Sequence, residues 1–309
     1  MTAAPELHDH PHPTPSRSPA PVGPRVLLGV HTVLALAMTV LPSLFPTHAP
    51  HLRTPLWCAI AVTAGGLAVL LTFRPRTPRR LVLVLGWLQL LLTLVQAVAV
   101  GDIAALFGTW FATSALALLA GRLGKRPRKA LVAAHVISAA AWVGIAVVFV
   151  ALCTVALTTA DLETARVTCE LMELFDQTLL PWANFATTLT GIGLSLTSTW
   201  GLVRYWWVVS KAVISVAILL MAFSFLHDVV ESAAEQAAHI AASGGTVAQL
   251  DTSVDLAFWG FAAGLVSLVA AVLLSLYKPG GRTPHGRRVA ERAGAARRGS
   301  RQPRPVAGT

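Results

Sequence analysis

One feature repeats along almost the whole chain: an uninterrupted apolar run long enough to cross a hydrocarbon core of about 30 Å, which takes about 20 helical residues. Eight such runs are present, at 26–45, 56–73, 81–100, 103–120, 131–156, 181–202, 206–227 and 254–277. They are rich in Leu, Ala and Val and lack the apolar/polar alternation of barrel strands, so helices are the spanning structure. The expected fold is all-α, a polytopic transmembrane helix bundle of eight spans. Charged residues make up 12% of the 309 residues, against about 25% in a soluble domain.

Charge sets the orientation. With the N-terminus inside, all but Arg53 and Arg166 of the 24 Lys and Arg fall on the inner side, in the N-tail, RPRTPRR (74–80), GRLGKRPRK (121–129), the turn 203–211 and the C-tail. Of the 14 acidic residues only Glu6, Asp9 and Glu291 lie there. This asymmetry is the positive-inside rule. It predicts both termini in the cytoplasm of a bacterium and a multi-pass protein of the inner membrane, with the lipid bilayer as first partner. Topology accounts for the net charge of +10. No basic soluble domain is left over to bind nucleic acid.

The expected organisation has four parts. Residues 1–24 form a Pro/His-rich, disordered cytoplasmic tail, with no charged n-region running into an apolar core, so no cleavable signal peptide is expected. His8, His10 and His12 there bind a divalent metal loosely or are simply solvated. Residues 25–129 form a four-span half, and 130–278 a second. Residues 279–309 form a basic, disordered cytoplasmic tail that lies against anionic lipid headgroups, at about 1 kcal/mol per basic residue near the surface.

Between the fifth and sixth spans, Leu162, Ala165, Cys169, Met172 and Phe175 recur at spacings of three and four. That predicts an outer amphipathic helix at about 160–178, with Thr158 and Asp161 as its capping box. Segment 228–253 reads as a prolongation of the seventh helix ending at Ser243-Gly244-Gly245, and Thr252 or Ser253 caps the last span. Cys153 and Cys169 either pair on the outer side or, like Cys58, act as small apolar residues.

Polar groups inside spans mark the faces that meet other protein. His135, Ser138, Ala139 and Trp142 share one stripe of the fifth span. His135 reads as a core residue bonded to a neighbouring hydroxyl or carbonyl, as a haem or copper ligand, or as a proton relay. Lys211 snorkels to the inner face or turns inward toward a partner, and it enters the membrane from the same side as His135. Thr187, Gly191, Ser195 and Thr199, spaced by four, form a small-residue stripe for helix packing. Gln89, Thr93 and Gln96 make a polar stripe in the third span, and His227, Asp228 and Glu231 bind a cation or form a solvated helix end.

His31 lies six residues after Arg25 and His135 six after Lys129. Each imidazole is thus expected about 9 Å above the inner boundary, either by parallel duplication or as two unrelated histidines. Tyr205, Trp206 and Trp207 form an aromatic belt. No P-loop, HExxH, CxxC or Ser-His-Asp constellation points to a hydrolase or a nucleotide-driven pump.

The stretch HVISAAAWVG (135–144), with its His-x6-Trp-x-Gly pattern, resembles the first helix of CopD-type copper-resistance membrane proteins, and the HemJ type of haem-associated protoporphyrinogen oxidases has a similar His-x6-Trp. Residues 130–227 resemble an uncharacterised bacterial integral-membrane family more closely. They do so through Met172-Glu173-Leu174, then Thr190-Gly191, then Trp200 to Arg204, and finally Trp207-Val208 and Lys211. The CopD/HemJ resemblance implies a haem- or copper-binding bundle with His135 as ligand and Lys211, and by its matching depth His31, as companions. The alternatives are a small-solute or ion transporter, motivated by the polar stripes, and a non-catalytic membrane assembly protein.

Overall fold

A computed structural model describes residues 22–41, 49–74, 76–250 and 252–299. The regular structure of the described residues is helical, joined by short turns, apart from one isolated bridge between Tyr205 and Arg282. Six helices are long and apolar enough to cross a membrane, and the chain is a multi-pass membrane protein. The histidine tract at 8–12 lies outside the described residues.

The helices are inside out relative to a soluble protein, and α1 (Val22–Val40) shows why. Its buried stripe is Pro24, Leu28, His31, Ala35 and Met38, while Val26, Val30, Val33, Leu36 and Val40 point outward. A soluble helix buries its valines and exposes its imidazole. Here the large apolar side chains cover the outside, and the polar ones meet other helices.

Contacts divide the chain into two compact units, Met1–Ala115 and Leu116–Thr309. The first contains α1, α2 (Pro50–Phe73), α3 (Arg79–Val98) and most of α4 (Ile103–Ala120). Pro50 starts α2 at a position whose N–H needs no partner. Helix α4 is apolar but shorter than the six. It is buried around most of its circumference, through Ala104, Ala105, Gly108, Thr109 and Ala112.

The second unit is built on α5 (Lys125–Thr158), whose 34 residues give about 51 Å at 1.5 Å each. Helix α6 (Leu162–Thr178) packs on α5 and on α9 (His227–Ala242); α7 (Leu180–Thr197) packs on α5. Helix α8 (Trp206–Met221) runs into α9 through a π turn at Ala222–Leu226, closed by the His227 N–H on the Ala222 carbonyl. Helix α10 (Ser253–Tyr277) packs on α5, α8 and α9. Phe149 of α5 stacks on Phe261 of α10 at 4.0 Å between centroids. Carrying Asn184, Thr187, Thr188 and Thr190, α7 is not among the six.

Expectation and structure differ at several places. Helix α6 is capped by Asp161, whose carboxylate accepts from the Thr164 N–H at 3.0 Å; the Thr158 hydroxyl is spent on the Thr154 carbonyl inside α5. The Thr164 hydroxyl, and then its N–H, hold the Asp161 carboxyl below the ordinary carboxylate range. The cap therefore stabilises above that range and is lost as pH falls through the lowered value. Helix α9 does end where expected: Ser243 is its C-cap, and Gly244 follows in the left-handed region at φ +69. Thr252 holds the cap position of α10 in helical dihedrals, without a side-chain cap bond.

The tail expected to be disordered forms α11 (Pro284–Gly299) instead. Its cap is Thr283, which donates to the Val203 carbonyl at 2.7 Å and accepts from the Gly286 N–H at 3.1 Å. The Thr283 N–H also meets the Arg204 carbonyl. The basic helix is thereby tied to the turn before α8.

Gly264 tests the packing of the second unit. It lies inside α10, and an added Cβ would meet nothing within 4 Å. Gly264→Ala is expected to raise stability by about 0.5–1 kcal/mol, because alanine restricts the unfolded chain without a clash. Unfolding in detergent, followed by tryptophan fluorescence, measures it.

Candidate functional site

The first unit encloses a column of polar side chains. Near the middle of α1, α2 and α3, His31, Thr63 and Gln89 converge. The Gln89 amide nitrogen lies 3.4 Å from His31 Nδ1, and the Thr63 hydroxyl meets the Gln89 amide oxygen. An amide N–H donates, so Nδ1 accepts and the imidazole proton sits on Nε2. That Nε2 has no hydrogen-bond partner among the described residues. It faces Gly108 of α4, where an added Cβ would stand 3.0 Å away. The bare glycine lets α4 close over the ring. His31 has 0% exposure and Gln89 1%.

Thr93 and Gln96, one and two turns further along α3, are equally buried and lead to the end of the unit where α2 and α4 begin. There Arg53 Nε donates to Asp102 Oδ2 at 2.8 Å. Trp57 Nε1 donates to the same oxygen at 2.8 Å, and the Gln96 amide at 3.2 Å. The other carboxylate oxygen caps α4 through the Ala104 N–H at 3.0 Å. Four donors thus hold one buried carboxylate, the condition under which a buried ion pair is tolerated. Toward the opposite end the interior is apolar, filled by Leu28, Leu67, Leu71 and Val82.

The second unit contains His135 and Lys211. His135 Nδ1 lies 3.2 Å from the Thr187 carbonyl and 3.0 Å from the Thr190 hydroxyl. Thr190 spends its own proton on backbone carbonyls of α7, so it accepts from His135. The proton is therefore on Nδ1 and Nε2 keeps its lone pair. Lys211 Nζ donates to Ser275 Oγ at 2.6 Å and stands 5.5 Å from the Trp207 ring. The two side chains, which enter from the same side, hydrogen-bond to separate helices, α7 for His135 and α10 for Lys211.

The small-residue stripe serves α5 only in part. Thr187 is buried, and a Cβ on Gly191 would come within 3.2 Å of the His135 ring. Thr199 lies beyond the end of α7, while Gly193, which was not singled out, is buried near Leu131. His227, read with Asp228 and Glu231 as a cation site or a solvated helix end, pairs with Asp176 of α6 at 2.6 Å. Cys169 is buried, its thiol pushed up to about 11 by burial, with Glu170 adding to the shift.

A haem or copper centre at His135 can be tested against these groups. A copper site needs several converging nitrogen or sulfur donors. Among the described residues no three of His, Cys, Asp and Glu converge, and Lys211 is committed to Ser275. A cavity does lie beside Trp142 and the π turn, lined by Asn184, Met221, Ala222, Leu226 and Gly260 among others, but its volume is about 30 Å³. That is room for a water or two, against about 300 Å³ or more for a bound cofactor. The buried Asn184 Oδ1 has no hydrogen-bond partner among the described residues, which suits a water there. The residues present do not fit haem or copper at His135.

Neither the arginine-carboxylate lock nor the His31–Gln89 contact was anticipated from the sequence. No protein-family model, curated protein or solved structure matches the chain.

Proposed function

We propose that the protein is an eight-span protein of the bacterial inner membrane, with both termini cytoplasmic, and that its first unit carries a small polar solute or ion. Helices α4 and α7 complete the eight spans. The basic α11, with the turn it is tied to, lies against anionic headgroups.

One observation carries the functional reading: the mid-span cluster His31–Gln89–Thr63 stands between two closures. Toward the outside, Arg53, Asp102, Trp57 and Gln96 form a polar lock. Toward the cytoplasm, Leu28, Leu67, Leu71 and Val82 form an apolar plug. Ionisable groups at membrane depth are costly and by default functional. Because the cluster stands between these two closures, the reading is a carrier that must open on each side in turn, not a channel. On this reading the CopD- and HemJ-like stretch 130–227 contributes helix packing, not a cofactor site.

The test is flux into liposomes reconstituted with the purified full chain. The probes are protons with a trapped pH dye, sodium and potassium ions, and shrink-swell kinetics with urea, glycerol and ethanolamine. At least one is expected to cross faster than in protein-free liposomes. His31→Ala should abolish that flux and Lys211→Ala should leave it. Wild-type flux equal to that of empty liposomes for every probe, or unchanged flux in His31→Ala, would overturn the proposal.

A further inference from the structure

Helix α6 closes over the end of α5 with sulfur on both sides. Cys153 of α5 and Cys169 and Met172 of α6 all have 0% exposure. The Cys153 thiol donates to the Met172 thioether, with Sγ and Sδ 3.4 Å apart. Cys169 lies one turn before Met172 on the same buried face of α6. Phe149, Ala156, Val230 and Ala233 belong to the same apolar cluster.

The chain has three cysteines and four methionines, and three of these seven sulfur-bearing residues lie in one buried cluster. Both thiols are free, and the remaining cysteine, Cys58, is exposed. Small apolar packing alone does not require thiol, thiol and thioether to converge. A hard cation requires oxygen ligands. Two thiols and a thioether in a dry pocket match a soft one.

We propose that Cys153, Cys169 and Met172 form a binding site for a soft monovalent cation, copper(I). On binding, the metal bonds to the two cysteine sulfurs and the thioether, and the displaced thiol protons pass to solvent. The metal and the sulfurs keep their oxidation states. The site is independent of His135 and of the carrier reading of the first unit. It lies where α6 is pinned at one end by its Asp161 cap and at the other by the Asp176–His227 pair.

The test uses the purified full chain in detergent, without oxygen and with reductant. Copper(I) is supplied as its bicinchoninate complex, and silver(I) serves as a redox-inert stand-in. One ion per chain is expected to leave the chelator. Cys153 and Cys169 should then resist maleimide under mild denaturation while Cys58 still reacts. Cys169→Ala should lose at least about 100-fold in affinity, and Met172→Leu, which keeps the core volume, about tenfold. Met172→Leu and the protection pattern decide the matter if the cysteine variants do not fold. The proposal is overturned if wild type takes no copper(I) from the chelator. It is equally overturned if Met172→Leu binds as wild type does and bound metal leaves both buried thiols as reactive as before.

Discussion

Asp102→Asn is expected to lower the unfolding free energy by about 3–5 kcal/mol, the largest effect of any single change in the first unit. The variant keeps the shape of the side chain and removes its charge. Arg53, 3% exposed, is then left without its carboxylate in a low-dielectric interior. Trp57 and Gln96 exchange a charged acceptor for a neutral one, and charge-assisted bonds are roughly twice as strong. The double variant Arg53→Met with Asp102→Asn should cost less than Asp102→Asn alone, because it removes both charges and leaves an amide oxygen to accept from Trp57 and Gln96. Steric trapping or titration with SDS measures both. If the single and double variants are equally stable, the ion pair contributes nothing beyond packing.

Gln89→Leu should follow, at about 1–3 kcal/mol for each partner it strands. The leucine is close in volume, so the loss is one of hydrogen bonding, not of packing. It takes the donor from His31 Nδ1, while the Thr63 hydroxyl keeps the Ala59 carbonyl at 2.8 Å. The imidazole would then be buried with neither nitrogen bonded. Gln89→Glu separates the two causes: it keeps the acceptor for Thr63 and adds a negative charge beside His31, which raises the affinity of the ring for a proton. Thermal unfolding at several pH values distinguishes the two variants, since only the Glu variant should gain a titration shared with His31.

Much of the fold is legible in the residues. The spans follow from length and hydropathy, and α6 from the spacing of Ala165, Cys169 and Met172, all of which are buried. Which face of α3 turns inward follows from Gln89, Thr93 and Gln96. What sequence pattern does not carry is pairing between helices. Arg53 and Asp102 lie 49 residues apart, and periodicity within one helix says nothing of a partner on another.

A signal was nonetheless present. Arg53 and Arg166 are the two basic residues that break the charge asymmetry, and both are paired. Arg53 meets Asp102, and Arg166 meets Glu163 and Glu170 on its own helix. A basic residue on the wrong side of a membrane thus points to a carboxylate nearby.

Helix α11 was missed because it is polar on most of its circumference, although Thr283-Pro284 is a helix start in plain sight. The π turn at 222–226 had no signal at all. Ala-Phe-Ser-Phe-Leu fits an ordinary helix, and in the structure Leu226 packs against Gly260 of α10.

The most direct test of the threading uses reporter fusions in the loops between helices, not at the ends. Six spans and eight spans are both even, so terminal reporters give the same answer for either. The difference lies on the two sides of α5. If α4 crosses, a reporter at 121–124 is cytoplasmic and one at 159–161 is exported. The account predicts a fluorescent, phosphatase-inactive fusion at the first site and the reverse at the second. Export at 121–124 with retention at 159–161 would contradict it.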